Sequence, residues 1–287
     1  MLVLTAVGAI GGLTLLLASA LVLANRKLYV QEDPRIDIVE EMLPHANCGA
    51  CGFPGCRPFA EALVQGDALP GKCTVGSEND RAGIATFLGV DVGAQEKVVA
   101  RLACAGGTNV ARNRARYQGL MTCRAAAQVA GGGKSCFWGC LGLSDCFDAC
   151  DFDAIRMNEH ALPIVDEAKC TACGDCVDAC PKDLFSLQAA SRRLWVACKS
   201  QESGDEMLED CEVGCTACGR CAMDAPGLIT MQNALPVVDY GKNHQTRLPI
   251  ERCPTGSIVW IDAREGPRKG AAAKKIIRKG VLRDAPT

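Results

Sequence analysis

Hydrophobic and polar positions divide this chain very unevenly. Met1 to Asn25 carries no charged side chain and is dominated by Leu, Val, Ala and Gly, and Arg26-Lys27 follow at once. About 20 apolar residues in a helix cross a bilayer, so residues 1–27 predict a single-pass membrane anchor. Basic residues flank it on one side only. The positive-inside rule then puts the bulk of the chain on the cytoplasmic face of the cell's inner membrane. Ala18-Ser19-Ala20 offers a rival reading as a signal-peptide cleavage site, but the basic segment that should precede it is missing.

Beyond the anchor the apolar runs are short. Residues 58–65 read as a helix, and Leu162–Val165 and Leu235–Val238 as strands. The segments that follow the cysteine triplets read as single helical turns. Units of this α+β kind bury little core and need another tie to hold them. The chain divides into residues 31–90, a small four-cysteine unit, and 91–135, a connector with a basic run Arg112-Asn113-Arg114-Ala115-Arg116 and a Gly131-Gly132-Gly133 hinge. Units at 136–190 and 206–262 follow, then a basic flexible tail at 263–287.

The two later units are copies of one another. Ala161-Leu162-Pro163-Ile164-Val165-Asp166 aligns with Ala234-Leu235-Pro236-Val237-Val238-Asp239 once Glu159 and His160 are removed, and the register carries Cys180-Pro181 onto Cys253-Pro254. Upstream, Cys136, Cys140, Cys146 and Cys150 fall on Cys211, Cys215, Cys221 and Ala225.

Twenty of the 287 residues are Cys, and the net charge is −2. The charge gives no footing for nucleic acid. Cysteines at this density mean disulfides, zinc or iron–sulfur clusters, and a reducing compartment disfavours the first. Spacing decides among the rest. Cys170-x2-Cys173-x2-Cys176-x3-Cys180-Pro181 is the bacterial ferredoxin run, whose fourth cysteine serves the other cluster of a pair. Zinc takes two separated Cys-x2-Cys knuckles instead of one close triplet. The first copy therefore reads as a two-cluster unit: Cys170, Cys173 and Cys176 with Cys150, and Cys136, Cys140 and Cys146 with Cys180. Leu143 stands where the second triplet should have its middle cysteine, so Cys136 is recruited from upstream. In the later copy Cys215, Cys218 and Cys221 pair with Cys253. The four ligands of its other cluster align with Ala225, Asn243, Thr246 and Pro249 and are all absent together, as loss of one whole cluster requires.

A separate motif, Cys48-x2-Cys51-x4-Cys56-x16-Cys73, has Gly49, Gly52 and Gly55 between its ligands, where a side-chain-free backbone can approach sulfide and offer N–H donors. Zinc is the alternative here. The expected class is thus α+β: one N-terminal transmembrane helix, a small cysteine-rich [4Fe–4S] domain and tandem bacterial ferredoxin-like units.

Anchor, Cys-Gly-Ala-Cys-Gly-Phe-Pro-Gly-Cys domain and ferredoxin repeats in this order resemble the RnfB family of the Rnf electron-transport complex, in its long cysteine-rich form. The resemblance covers residues 1 to about 262. It implies a membrane-bound, ion-translocating oxidoreductase in which this chain relays electrons between soluble ferredoxin and NAD-linked partner subunits, with no catalytic residue of its own. A membrane-tethered polyferredoxin of a non-pumping reductase is the alternative.

Four clusters leave Cys104, Cys123, Cys198 and Cys211 unassigned. A fifth cluster needs four ligands, free buried thiols need none, and zinc or disulfides complete the choices. Cys211 is the best candidate ligand because it aligns with Cys136. Among weaker signals, Gly133-Lys134-Ser135 lacks the first glycine of a phosphate loop and reads as a flexible lead-in to Cys136. His45, His160 and His244 sit outside ligand spacing, and Trp138, Trp195 and Trp260 read as packing residues. The Arg112–Arg116 run reads as a solvated face or as a dock for an acidic ferredoxin, and the tail as a solubilising segment or a lipid contact.

Overall fold

The computed structural model describes residues 2–28, 32–262 and 265–273. The first helix, α1 (Leu2–Leu28), includes a 22-residue stretch, Val7–Leu28, with mean hydropathy 2.2 and none of it buried against the rest of the protein. It is the one helix among the described residues long and apolar enough to cross a membrane. Arg26 and Lys27 close its last turn, where they face the negative end of the helix dipole.

Three helices build the first small unit: α2 (Arg35–Met42), α3 (Cys56–Gln65) and α4 (Glu78–Leu88). Phe59 and Leu63 of α3 meet Ile36 and Val39 of α2 and Ile84 of α4 in a core that also takes in Cys73. Each end is fixed locally. Ser77 and Asp80 form a reciprocal capping box at the start of α4, and Gly66 ends α3 in the left-handed conformation at φ 83°. Arg57 on α3 is held by Glu32, Asp37 and Glu40 (3.0 Å to Asp37 and 2.7 Å to Glu40), tying α3 to α2.

Among the described residues nine short strands follow: β1 (Val98–Leu102), β2 (Ile155–Met157), β3 (Pro163–Val165), β4 (Phe185–Ala189), β5 (Leu194–Val196), β6 (Ile229–Gln232), β7 (Leu235–Val238), β8 (Ile258–Asp262) and β9 (Gly266–Arg268). β2–β3 and β6–β7 are the equivalent hairpins of the two copies. β1 pairs antiparallel with β4, Val98 opposite Ala189 and Leu102 opposite Phe185. The segment 91–135 is therefore more than a connector, since it supplies a strand to the first ferredoxin-like unit. β5 pairs with β8, and β8 with β9. β9 extends regular structure past 262 into the region read as a tail; residues 274–287 lie outside the described residues.

The copies share backbone detail as well as sequence. Gly142, Ala172 and Ala217 are all left-handed (φ 73°, 60° and 55°), and so are Ser144, Gly174 and Gly219 (φ 68°, 101° and 70°). A short helical turn then starts in each: Asp145–Asp148, Asp175–Ala179 and Arg220–Asp224. The wrap around Cys140 and Cys146 is thus the same loop as in the regular triplets, although Leu143 has replaced its cysteine. In the later copy, the aligned place of the missing cluster is filled by apolar packing. Ala225 and Ile250 are buried with Leu194, Ile258 and Trp260, and Tyr240 packs onto them while its hydroxyl donates to the Leu194 carbonyl at 2.7 Å.

Candidate iron–sulfur site

None of the twenty cysteines, all of them described residues, is in a disulfide. Among the described residues, no three His, Cys, Asp or Glu side chains converge tightly enough to hold a single ion. The thiols instead line cavities. Cys48, Cys51, Cys56 and Cys73 line one pocket. Cys150, Cys170, Cys173 and Cys176 line a second, and Cys215, Cys218, Cys221 and Cys253 a third. Four thiols on one wall match the four ligands that a cubane takes. Cys150 and Cys253 each reach a triplet distant in sequence, so the fold creates the juxtaposition on which ligand exchange depends.

The surroundings of these thiols fit sulfur-rich clusters. Gly76 donates its N–H to the Cys73 sulfur at 3.3 Å, Ala100 to Cys170 at 3.4 Å and Leu184 to Cys180 at 3.4 Å. The buried hydroxyl of Thr74 has no protein partner, and Thr74 lines the pocket of the first quartet. Gly49 and Gly52 are left-handed (φ 72° and 86°), a conformation that suits glycine. At Gly55 the requirement is space, because a β-carbon there would stand 3.0 Å from Asn47 Oδ1. That same oxygen accepts the Cys56 N–H at 2.8 Å and shapes the loop.

Burial, the largest influence, followed by repulsion from neighbouring thiols, pushes Cys176 and Cys221 up to about 12. Cys173 is pushed to about 11, chiefly by burial. Cys253 is different. Burial works against its thiolate, but the N–H groups of Ile258, Thr255 and Ser257 and the Ser257 hydroxyl outweigh it and pull the thiol below its ordinary value.

The structure does not bring Cys136 together with Cys140, Cys146 and Cys180. Cys136 shares a cavity wall with Cys104, Cys198 and Cys211. The thiol beside Cys146 is Cys123: burial, then the nearby thiols of Cys140, Cys123 and Cys180, raise Cys146 to about 12. Cys123 starts a short helix, Cys123–Gln128, and its N–H donates to Asp145 Oδ1 at 2.7 Å. The Asp145 and Leu143 amides in turn point at its sulfur. Cys123 thereby occupies the neighbourhood left open by the middle cysteine of that triplet. The gap at Leu143 signalled the need for a substitute; the spacing could not say whether it came 7 or 20 residues upstream.

Lys134 is also differently placed from its reading as part of a flexible lead-in. It is buried at 8% exposure and donates to the Gly106 and Cys140 carbonyls. Trp195 Nε1 donates to the Leu102 carbonyl at 2.9 Å and pins β5 to the end of β1.

A long apolar N-terminal helix followed by pockets lined by four thiols each defines an iron–sulfur electron carrier that binds [4Fe–4S]. Family models agree: one for an Fe-S cluster matches residues 43–75, and one for a 4Fe-4S binding domain matches residues 163–185. The chain is 39% identical over 260 residues to the B component of the Na(+)-translocating ferredoxin:NAD(+) oxidoreductase complex of Acetobacterium woodii, covering 89% of this chain and 77% of that one. It is 35% identical to the B component of the ion-translocating oxidoreductase complex of Methanosarcina acetivorans (88% and 96% covered). Against the B component of the proton-translocating ferredoxin:NAD(+) oxidoreductase complex of Clostridium ljungdahlii the identity is 34% (95% and 97% covered). The chain belongs to the RnfB family of ion-translocating oxidoreductase complexes and is an electron-transfer component of such a complex.

Proposed function

We propose that the chain passes single electrons from reduced soluble ferredoxin, through a series of [4Fe–4S] clusters, to the NAD-linked subunits of its complex. The cysteines of the three cavities described above, together with Cys140, Cys146 and Cys180, hold at least four of them. The bound clusters supply the redox chemistry. The protein's own contribution is to bury them, to aim amide N–H groups at their sulfurs and so to set their potentials. The observation that carries this reading is the unbroken succession of cysteine quartets from Cys48 to Cys253 on one folded chain. The anchor holds the relay at the bilayer, on the cytoplasmic side, where ferredoxin is found.

The Arg112–Arg116 run is the proposed contact for an acidic ferredoxin. Leu120 and Met121 are exposed beside it (71% and 64%), an apolar centre with a basic rim of the kind that transient redox encounters use. Charge steering then makes the encounter sensitive to salt.

The complex purified through a tag on this chain, mixed with chemically reduced ferredoxin and then with NAD+, tests the proposal. Bleaching of cluster absorption with NADH formation by the copurified subunits is expected. Cluster reduction with no membrane subunits recovered would favour a tethered polyferredoxin of a non-pumping reductase instead. A reporter active only in the cytoplasm, fused after Thr287, tests the sidedness.

A further inference from the structure

Cys104, Cys136, Cys198 and Cys211 come from four separate places and meet at one. Cys104 follows β1 and Cys198 follows β5, and the two strand ends lie side by side because Ala105 N–H donates to the Ala197 carbonyl at 3.1 Å. Cys211 ends the helix Gly204–Asp210 and forms a backbone bridge with Ala111. Cys136 follows Ser135, whose N–H is anchored on the Arg112 carbonyl at 3.0 Å. All four thiols line one pocket, as the four thiols of each regular quartet do.

Three further observations point to what fills it. The backbone of Trp138, Ser200 and Val213, each two residues beyond a cysteine of the group, favours the thiolates of Cys136, Cys198 and Cys211. The same relation joins Phe53 to Cys51 and Ala217 to Cys215 in the regular motifs. Gly106 leaves room: a β-carbon there would stand 3.0 Å from Cys211 Sγ and 3.7 Å from Cys104 Sγ. Lys134 lines the cavity too. Its buried ammonium is satisfied by two carbonyls, and among the described residues no carboxylate pairs with it. A buried cation without a counter-charge is unfavourable. A thiolate-ligated cubane is an anion and supplies that charge.

We propose that Cys104, Cys136, Cys198 and Cys211 hold a fifth [4Fe–4S] cluster, wedged between the two ferredoxin-like units, and that Cys123 completes the set Cys140, Cys146 and Cys180. The proposal rests on the electron-relay reading above. It also fixes the route. Cys140 N–H donates to Cys104 Sγ at 3.5 Å, and Cys215 N–H to Cys198 Sγ at 3.3 Å, so the fifth cluster adjoins a ligand of each flanking cluster. Electrons pass through it between the two units.

Iron and acid-labile sulfide are counted on the full-length chain, reconstituted without oxygen in detergent. Five cubanes carry about 20 irons per chain and four carry about 16. The expected result is the higher value, with loss of about four irons in Cys104→Ser, in Cys198→Ser and in Gly106→Val, which crowds the cavity and leaves every cysteine in place. Cys123→Ser and Cys136→Ser are expected to abolish different electron paramagnetic resonance signals. A wild-type value near 16 overturns the fifth cluster and leaves the relay intact; it requires no variant to fold. Loss of one and the same signal in Cys123→Ser and Cys136→Ser overturns the partition. A wild-type value well below 16, with the regular motifs open to alkylation, overturns the relay reading itself and the fifth cluster with it.

Discussion

The backbone N–H of Cys215 donates to the sulfur of Cys198 at 3.3 Å. One residue belongs to a regular ferredoxin triplet, and the other lies beyond the end of β5 with no motif around it. A single hydrogen bond therefore separates two thiol quartets. Two reduced clusters joined this closely are paramagnets in contact, and their resonance lines should split or broaden. In Cys198→Ser, the signal of the Cys215, Cys218, Cys221 and Cys253 cluster is expected to remain at full intensity and to lose that broadening. Electron paramagnetic resonance of the fully reduced protein reads both effects.

Ligand exchange gives a second prediction. Cys150 shares its cavity with Cys170, Cys173 and Cys176, and Cys253 shares one with Cys215, Cys218 and Cys221. Cys150→Ser should remove or convert one cluster and Cys253→Ser another, each with the remaining signals retained. Iron content together with Mössbauer spectra checks this. Intact spectra in both variants would refute the pairing.

Ser257 is a lever on potential. It is buried at 2% exposure, and its hydroxyl lies 3.6 Å from Cys253 Sγ. Hydrogen bonds to cluster sulfur favour the more negative, reduced form. A bond of about 1 kcal/mol corresponds to about 40 mV for a one-electron couple. Ser257→Ala should lower the potential of that cluster by an amount of this order, and no other. Redox titration followed by resonance signal amplitude measures it.

Loading should release protons. Burial, first, and neighbouring thiols, second, hold Cys146 near 12 in the metal-free protein, and Cys221 is raised to about 12 by the same causes. A raised thiol pKa means the proton is still bound at pH 7, whereas the cluster binds thiolate. Each such cysteine gives up a proton on loading, so loading becomes more favourable as pH rises from 6 to 8 and clusters are lost on acidification. Cys253, pulled down by its N–H and hydroxyl donors, contributes less. A pH-stat titration during reconstitution counts the protons, and a pH-independent yield would contradict the account.

The regular quartets were legible in the sequence because their geometry is local. Cys170, Cys173 and Cys176 wrap one corner each, and the repeat exposes the partner that each triplet borrows. The long apolar N-terminal helix was legible for a similar reason, since an apolar run of sufficient length is enough. Cys104, Cys198 and Cys211 were not, because they are placed by the pairing of strands and by the end of a helix. Nothing near them in sequence records which strands will meet. The lysine carried a signal of its own, in that Lys134 precedes Cys136 by two residues. Only the fold revealed that it is buried.

Dispersed ligands also impose a timetable on maturation. The first quartet closes within the span from Cys48 to Cys73, so a nascent chain contains everything it needs long before synthesis ends. The set Cys123, Cys140, Cys146 and Cys180 waits for residue 180, the interior set waits for residue 211, and the last waits for Cys253. Synthesis therefore completes the ligand sets one after another, in the order of their last cysteines. A chain broken off before Cys253 keeps the cysteines of every earlier set but leaves Cys215, Cys218 and Cys221 without the fourth thiol that shares their pocket.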